Sequence, residues 1–233
     1  MILESKKIFF GLSEKKDGQM RVAINGDNQA SLKNRAKFFK KLGVDPKMTV
    51  ACDLVHGKNI ALVTKKDAGK IMIATDGLIT SDKKLVLTVT AADCLPLYFF
   101  DEKTGVIGLA HAGWRGVWQN MPQAMVEKLR AEFKINPKNL KVFIGAHIGS
   151  CHFSVNSDLA KEFNRYHKFL QKNRQTVMVD LGGIVRQQLI DCSVLEKNID
   201  SDLTCTYCDQ KYFSNRRDKP EIVEAMVAYI GRK

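Results

Sequence analysis

The segment "TVTAADCLPLYFFDEKTGVIGLAHAGWRG", Thr88 to Gly116, carries the reading on which the fold turns. It lies within a longer stretch whose first part, "KLVLTVTAADCLPLYFFD" (84–101), is rich in the β-branched and aromatic residues that suit a pleated, buried strand. "EKTG" (102–105) supplies turn residues before a second apolar run, "VIGLAHAG", and the pair predicts a hairpin of adjacent strands. Two reactive side chains sit at the ends of these runs. Cys94 follows an acid in "AADC", and His111 precedes the bulky, basic "GWRG".

Outward from this centre, strands and helices alternate. "SLKNRAKFFKKLGVDP" (31–46) predicts an amphipathic helix with Ser31 as N-cap, Gly43 as stop and Pro46 beyond it. "MTVACDLVHG" and "NIALVT" read as strands interrupted at His56-Gly57. Helical spacing runs from Trp114 to Phe133, "LKVFIGAHIG" reads as a strand, and "SDLAKEFNRYHKFL" as a helix. "TVMVD" is a further strand, "LGGIVRQQLIDC" a short helix, and "KPEIVEAMVAYIGRK" (219–233) a closing helix with Pro220 in its first turn. Hairpins mixed into the alternation favour one α/β domain over residues 1–233, built on mixed rather than all-parallel sheets.

Composition narrows the function. The apolar runs are far shorter than the roughly 18 residues of a spanning helix. The early apolar stretch "IFFGL" is too short for a signal-peptide core. A cytoplasmic protein is expected, with no membrane partner and with its six cysteines reduced. The net charge of +12 includes only 10 arginines among 37 basic residues, and the lysines are scattered. No nucleic-acid motif accompanies them, so no nucleic-acid partner is expected. A basic field can still draw small anions such as phosphate. No G-x-G-x-x-G, Walker loop or G-x-S-x-G occurs.

His56, Cys94 and His111 all lie where a strand ends in a small-residue turn, the part of an α/β sheet where ligand sites gather. Two imidazoles and a thiolate suit zinc with an open fourth position. They match a blue-copper centre as well, but 38 residues separate His56 from Cys94, so local spacing does not demand a shared site and core histidines remain the default reading. A multicopper oxidase needs more histidines than His147, His152 and His167 supply. Cys205 and Cys208 form a C-x-x-C, "CTYC", with no second pair in the sequence to complete a zinc site, and it reads as structural.

"LVHG", "TDGLIT", "TAADCLPL", "HAGWRG", "IGAHIGSCHFSV" and "YFSNRRD" together resemble the YfiH-like family, over nearly the whole chain from Asn34 to Asp218. That family has been labelled multicopper polyphenol oxidoreductase or laccase-domain proteins, and also purine nucleoside phosphorylases. The resemblance implies mixed sheets layered with helices, and a zinc ion held by His56, Cys94 and His111. It implies phosphorolysis of adenosine, inosine and methylthioadenosine to free base and ribose 1-phosphate, with adenosine deamination as a second reaction. Purine nucleosides and phosphate are then the partners, and copper acquired in vitro would give weak phenol oxidation.

Within that frame Arg35 and Arg115 are the candidate phosphate ligands, with Arg216 and Arg217 behind them. Asp93 is a candidate to orient a ligating histidine or to move a proton. It shares a site with Cys94 only if the strand ends or bulges there. Phe153 is a candidate platform for a purine. The chain departs from the family pattern at Leu54, where glutamine is common, at Phe153, where tyrosine is common, and after Asp218, where a glycine and a "TGR" segment are missing. Three other readings stand beside this one: a hydrolase using Cys94 and His111 as a nucleophile–base pair on another substrate such as a cell-wall precursor, a copper-dependent polyphenol oxidase, and, least favoured, a non-enzymatic basic module binding nucleic acid, whose binding would collapse with salt and survive Cys94→Ala.

Overall fold

A computed structural model describes residues 7–233. Strand β1 (Ile8–Leu12) and helix α1 (Gln29–Lys41) precede four short strands, β2 (Thr49–Cys52), β3 (Ile60–Leu62), β4 (Ile71–Met72) and β5 (Gly77–Thr80). The apolar centre forms β6 (Val86–Ala91), β7 (Leu95–Phe100) and β8 (Ile107–Ala112). Helices α2 (Trp114–Trp118) and α3 (Met121–Phe133) lead to β9 (Lys141–Ile144) and β10 (Ser154–Val155). Then come α4 (Ser157–Lys161), β11 (Leu170–Asn173), β12 (Thr176–Val179), α5 (Leu181–Asp191) and β13 (Ile199–Ser201). Helix α6 (Asn215–Asp218) and strand β14 (Met226–Arg232) complete the order.

The strands make a five-stranded sheet ordered β1-β14-β6-β2-β4, a six-stranded sheet ordered β13-β9-β7-β8-β5-β3, and a small sheet β10-β12-β11. Both large sheets mix parallel and antiparallel pairs, as expected for this fold class. The run from Lys84 to Asp101 is two strands rather than one. β6 belongs to the five-stranded sheet and β7 to the six-stranded one, and the chain crosses between them at Ala92–Cys94. Only β7 and β8 form the expected hairpin. Asp101 closes its turn, accepting from the Thr104 N–H and hydroxyl, with Gly105 in the left-handed region at φ 72°.

Side-chain alternation explains the layering. Leu97 and Phe99 of β7 join Met121, Met125, Ile184 and Val185 in a core between the six-stranded sheet and helices α3 and α5. Tyr98 and Phe100 face the opposite way and meet Leu87, Val89, Ala228 and Ile230 of the five-stranded sheet. Beyond that sheet, Phe39 of α1 packs on Val86 and Val227. The order is helix, sheet, sheet, helices. Strands covered on both faces are hydrophobic at nearly every position, as β7 is throughout, while β6 keeps Thr88 and Thr90 on the face toward α1 and β8 carries His111 near its end.

Four expectations change. Helix α1 begins ahead of Ser31, with Asn28 as its N-cap, and Ser31 is buried within it. The closing segment is strand β14, not a helix: it pairs antiparallel with β1 on one side and β6 on the other. "AMVAYI" is apolar without period because both of its faces are covered, so two neighbouring strands decide its state rather than its own pattern. The helical stretch after Trp114 breaks at Asn120, which is left-handed at φ 61°. The helix expected after Ser157 shortens to α4 and a 3₁₀ turn at Asn164–Phe169. Among the described residues no helix is long and apolar enough to cross a membrane.

Ile230 is wholly buried between the two large sheets. Ile230→Ala should therefore lower unfolding free energy by about 2–5 kcal/mol. Leu203→Ala, at a side chain 91% exposed, should change it by no more than about 0.5 kcal/mol. Urea titration measures both, and equal effects would contradict the central placement of β14.

Candidate functional site

Three chain connections converge at one end of the sandwich. His56 lies in the loop between β2 and β3, Cys94 at the crossing between β6 and β7, and His111 near the end of β8. One ligand atom from each lies within 4.8 Å of the others, and the two imidazoles meet edge to face with centroids 4.8 Å apart. Gly113 leaves room for the cluster. A Cβ there would stand 3.0 Å from Cys94 Sγ, 3.2 Å from His56 Cδ2 and 3.7 Å from His111 Cε1.

Asp76, immediately before β5 and fully buried, organises two of the three. Its Oδ1 accepts from the His56 N–H and its Oδ2 from the Gly57 N–H, both at 2.8 Å. This fixes a left-handed turn with His56 at φ 59°. Oδ1 is also 3.4 Å from His111 Nδ1, and the Asp76 carbonyl accepts from the His111 N–H at 2.8 Å. With Nδ1 turned to the carboxylate, Nε2 is the nitrogen left for a ligand.

The electrostatics follow from this packing. Burial alone would raise the Cys94 thiol, but His111 and His56 outweigh it and hold the pKa at about 6. Burial would lower His111, yet the Cys94 thiolate and Asp76 raise it to about 9. Burial likewise works to raise Asp76; the His111 hydrogen bond and the Gly57 and His56 N–H groups keep it below its ordinary value. Each group's charge favours the other's, so the packing favours a thiolate on Cys94 beside a protonated His111. The chemistry fits a divalent ion: a thiolate ready at neutral pH and two imidazoles, one already oriented from behind.

The cluster sits between two hollows that share His56, Ala92, Cys94 and Asn215. One, about 270 Å³, is lined by Asp93, Trp114, Arg115, Phe153 and Arg216 among others. The other, about 200 Å³, includes Arg21, Asp53, Leu54 and Thr90. A larger basic hollow of about 600 Å³ around Arg130, Lys134 and Lys138 lies elsewhere and brings none of the three donors together.

Asp93 does share the site with Cys94, because the strand ends before it and Asp93 itself is left-handed at φ 83°. Both its oxygens are engaged: Oδ1 accepts from the Thr206 hydroxyl and Oδ2 from the Arg216 N–H, each at 2.7 Å. That makes Asp93 a brace for the cleft wall. Arg115 stacks on its neighbour Trp114 at 4.3 Å, and among the described residues no hydrogen bond or ion pair holds its guanidinium. Arg216 bonds the Ser154 carbonyl and hydroxyl at 3.1 and 3.2 Å, and lies over the Phe153 ring, so that face of Phe153 is covered by a cation.

Arg35 is placed differently from expectation. It is 5% exposed on the inner face of α1, donates to the Met20 carbonyl and the Thr88 hydroxyl, and lines neither hollow. Burial pulls its pKa down to about 10. Arg217 is likewise committed, to Asp218 and to the Thr206, Tyr207 and Tyr212 carbonyls. Asp76 is the functional residue that motif reading passed over; its signal was an acid in the turn "TDG" leading into a strand. The other histidines lie apart from the cluster: His147 bonds the Gly145 carbonyl, His152 stacks on Tyr207, and His167 sits in the 3₁₀ turn. The C-x-x-C of Cys205 and Cys208, without a partner in the sequence, has one in space: Cys151 and His152.

Known proteins agree with this architecture. A family model described as multi-copper polyphenol oxidoreductase laccase matches residues 10–233. The chain is 30% identical to purine nucleoside phosphorylase YlmD of Geobacillus stearothermophilus, covering 99% of this chain and 86% of that protein. It is 28% identical to the Bacillus subtilis protein of the same name, over 96% and 85%. Among solved structures, a Bacillus licheniformis hypothetical protein, YfiH, superposes with a TM-score of 0.91 at 27% identity, covering 97% of this chain and 93% of that one. YlmD from Geobacillus stearothermophilus gives 0.91 at 29%, covering 97% and 92%. By sequence along nearly its whole length, and by the layered sheets that hold the His56–Cys94–His111 cluster, the chain belongs to the multi-copper polyphenol oxidoreductase laccase family, the YfiH and YlmD proteins.

Proposed function

We infer that the protein is a cytoplasmic, zinc-dependent purine nucleoside phosphorylase, acting as one domain on adenosine, inosine and methylthioadenosine, with adenosine deamination as a second activity. The observation that carries this is the convergence of His56, Cys94 and His111 on a cleft that also presents the unpaired guanidinium of Arg115. The relatives named purine nucleoside phosphorylase support the same substrate class.

His56, Cys94 and His111 would hold the zinc, which when bound supplies Lewis acidity at its remaining position to polarise an oxygen or nitrogen of the substrate or of water. Arg115 receives phosphate, and its planar fork suits two phosphate oxygens. In phosphorolysis a phosphate oxygen bonds to the sugar C1′ as the bond from C1′ to the purine nitrogen breaks. The electron pair leaves on the purine, which takes up a proton. Trp114 and the cation-covered Phe153 bound the same hollow and exclude water from the sugar. Asp93 keeps the wall in place through Thr206 and the Arg216 backbone. In deamination water replaces the amino group at purine C6, and ammonia leaves.

The five histidines argue against a multicopper oxidase, because His147, His152 and His167 are too few and too dispersed to build a second copper cluster beside this one. A thiolate–imidazolium pair is also what a Cys–His hydrolase uses, so metal content must be measured together with turnover. Elemental analysis and adenosine assays with and without phosphate should find zinc and phosphate-dependent adenine release in the wild type. Both the Cys94-dependent zinc and the turnover should be lost in Cys94→Ala. Full turnover in metal-free protein would replace the zinc reading with the nucleophile; zinc without nucleoside turnover would remove the substrate assignment.

Two neighbours should tune this site without belonging to it. Asp76→Asn should weaken zinc binding at His56, Cys94 and His111 by roughly 10–100-fold, since ligand-orienting partners contribute on that scale. Gly113→Ala should weaken it as well, because the added methyl presses on Cys94 Sγ and His56. Chelator competition measures both, with thermal unfolding confirming that each variant is folded. Wild-type affinity in either variant would contradict the geometry described for that residue.

A further inference from the structure

A second cluster of metal-binding side chains lies on the other side of the cleft wall. One ligand atom each from Cys151, His152, Cys205 and Cys208 falls within 4.8 Å of the others. They come from two tight turns more than fifty residues apart in sequence. In the first, the His152 and Phe153 N–H groups both return to the Gly149 carbonyl, at 3.0 and 2.9 Å. In the second, the Cys208 and Asp209 N–H groups return to the Cys205 carbonyl, at 3.1 and 3.0 Å. The turns are joined by the Thr206 N–H on the His147 carbonyl at 3.0 Å.

The geometry suits a tetrahedral ion. Cys151 and Cys208 have their sulfurs 3.8 Å apart, too far for a disulfide of about 2.05 Å. It matches the edge of a tetrahedron with Zn–S bonds of about 2.3 Å, which is about 3.8 Å. His152 Nδ1 points at all three sulfurs, 3.2 Å from Cys151, 3.3 Å from Cys208 and 4.0 Å from Cys205. The imidazole is held in that direction by lying flat on Tyr207, with centroids 3.9 Å apart and planes 14° apart. The Gly149 N–H donates to Cys205 Sγ at 3.2 Å, the kind of backbone bond that stabilises a ligating thiolate. All six cysteines are free, so nothing else ties these turns together covalently.

We propose that Cys151, His152, Cys205 and Cys208 bind a structural zinc ion that clamps two turns behind one wall of the cleft. Three thiolates and one imidazole leave no open position, in contrast to the three-donor cluster at His56, Cys94 and His111. Each thiol gives up its proton as the ion binds. The clamp reaches the cleft through short links. Thr206, inside the C-x-x-C, donates to Asp93 Oδ1. The Ile148 N–H donates to the Asp93 carbonyl at 2.9 Å. The His152 and Ser154 carbonyls accept from Arg216 at 3.4 and 3.1 Å. Zinc here therefore fixes Asp93, Arg216 and Phe153 without touching substrate.

The test counts metal and reads its ligands. Full-length wild type, Cys94→Ala and Cys208→Ser are purified under reducing conditions from zinc-supplemented cells and analysed for zinc per chain. Cys208→Ser should lose one zinc relative to wild type and keep the zinc that depends on Cys94. Cys94→Ala should keep the zinc that depends on Cys208. Wild-type zinc in Cys208→Ser overturns the clamp, whereas wild-type zinc in Cys94→Ala overturns the first site, so the two failures are separable. Should Cys208→Ser not fold, the wild type alone decides. Exposed Cys151 and Cys208 should resist a thiol reagent until a chelator is added, and cobalt substitution should give the intense charge-transfer absorption of a three-thiolate site. Thiols that react at once, or a Cys151–Cys208 disulfide in freshly isolated protein, would overturn the proposal.

Discussion

The Asp76 carboxylate is the interaction on which the site depends. It is wholly buried, and a carboxylate in that position is tolerated only when its charge is answered. Two backbone N–H groups and one imidazole answer it. The same bonds hold His56 in the left-handed region and turn the His111 ring, so one charged group sets the conformation of one donor and the tautomer of another. Asp76 can do this because it directly precedes β5, whose neighbour β8 carries His111. Sheet pairing therefore delivers the acid to the base, and the loop of His56 folds down onto the acid.

The third donor arrives by a different route. Cys94 sits where the chain leaves one large sheet for the other, at the only point where β6 and β7 are covalently joined. A strand that continued straight would have kept Cys94 within a ladder. The crossing lifts it out, and the left-handed Asp93 lets consecutive residues face the same hollow. A left-handed non-glycine residue costs roughly 1–2 kcal/mol. The Thr206 hydroxyl and the Arg216 N–H, each bonded to the Asp93 carboxyl at 2.7 Å, hold that turn in place.

Residue type and place at strand ends singled out His56, Cys94 and His111, but their spacing left them readable as core residues, and only the family resemblance joined them before the structure brought them within 4.8 Å. The cluster's support was not legible in the sequence. Asp76 is one of many acids in turns, and only pairing of β5 with β8 makes it special. Arg35 shows the opposite error. Its residue type suggested phosphate, yet Ser31, Arg35 and Phe39 recur every four residues and mark the buried face of α1. The spacing was readable and outranked by the chemistry of the side chain. The closing strand was misread for a third reason. A segment covered on both faces carries no period, and Pro220 with the acids after it imitates the first turn of a helix.

The C-x-x-C raises the question of what the number of donors decides, since one cluster offers three and the other four. Sequence spacing finds only half of a four-donor set when the other half comes from a turn on a different connection, as Cys151 and His152 do here. Once all four donors are engaged, an ion has no coordination position left for substrate and can act only by holding its ligands together. A three-donor set keeps a position free but fixes its own geometry less completely, and so it depends on outside supports. Asp76 supplies that support from behind the histidines. Asp93 supplies it from the wall, with one oxygen bonded to the Thr206 hydroxyl inside the C-x-x-C and its carbonyl bonded to the Ile148 N–H, just ahead of the turn that presents Cys151 and His152. The residue next to Cys94 in sequence is thus tied by hydrogen bonds to both turns that carry the four-donor cluster.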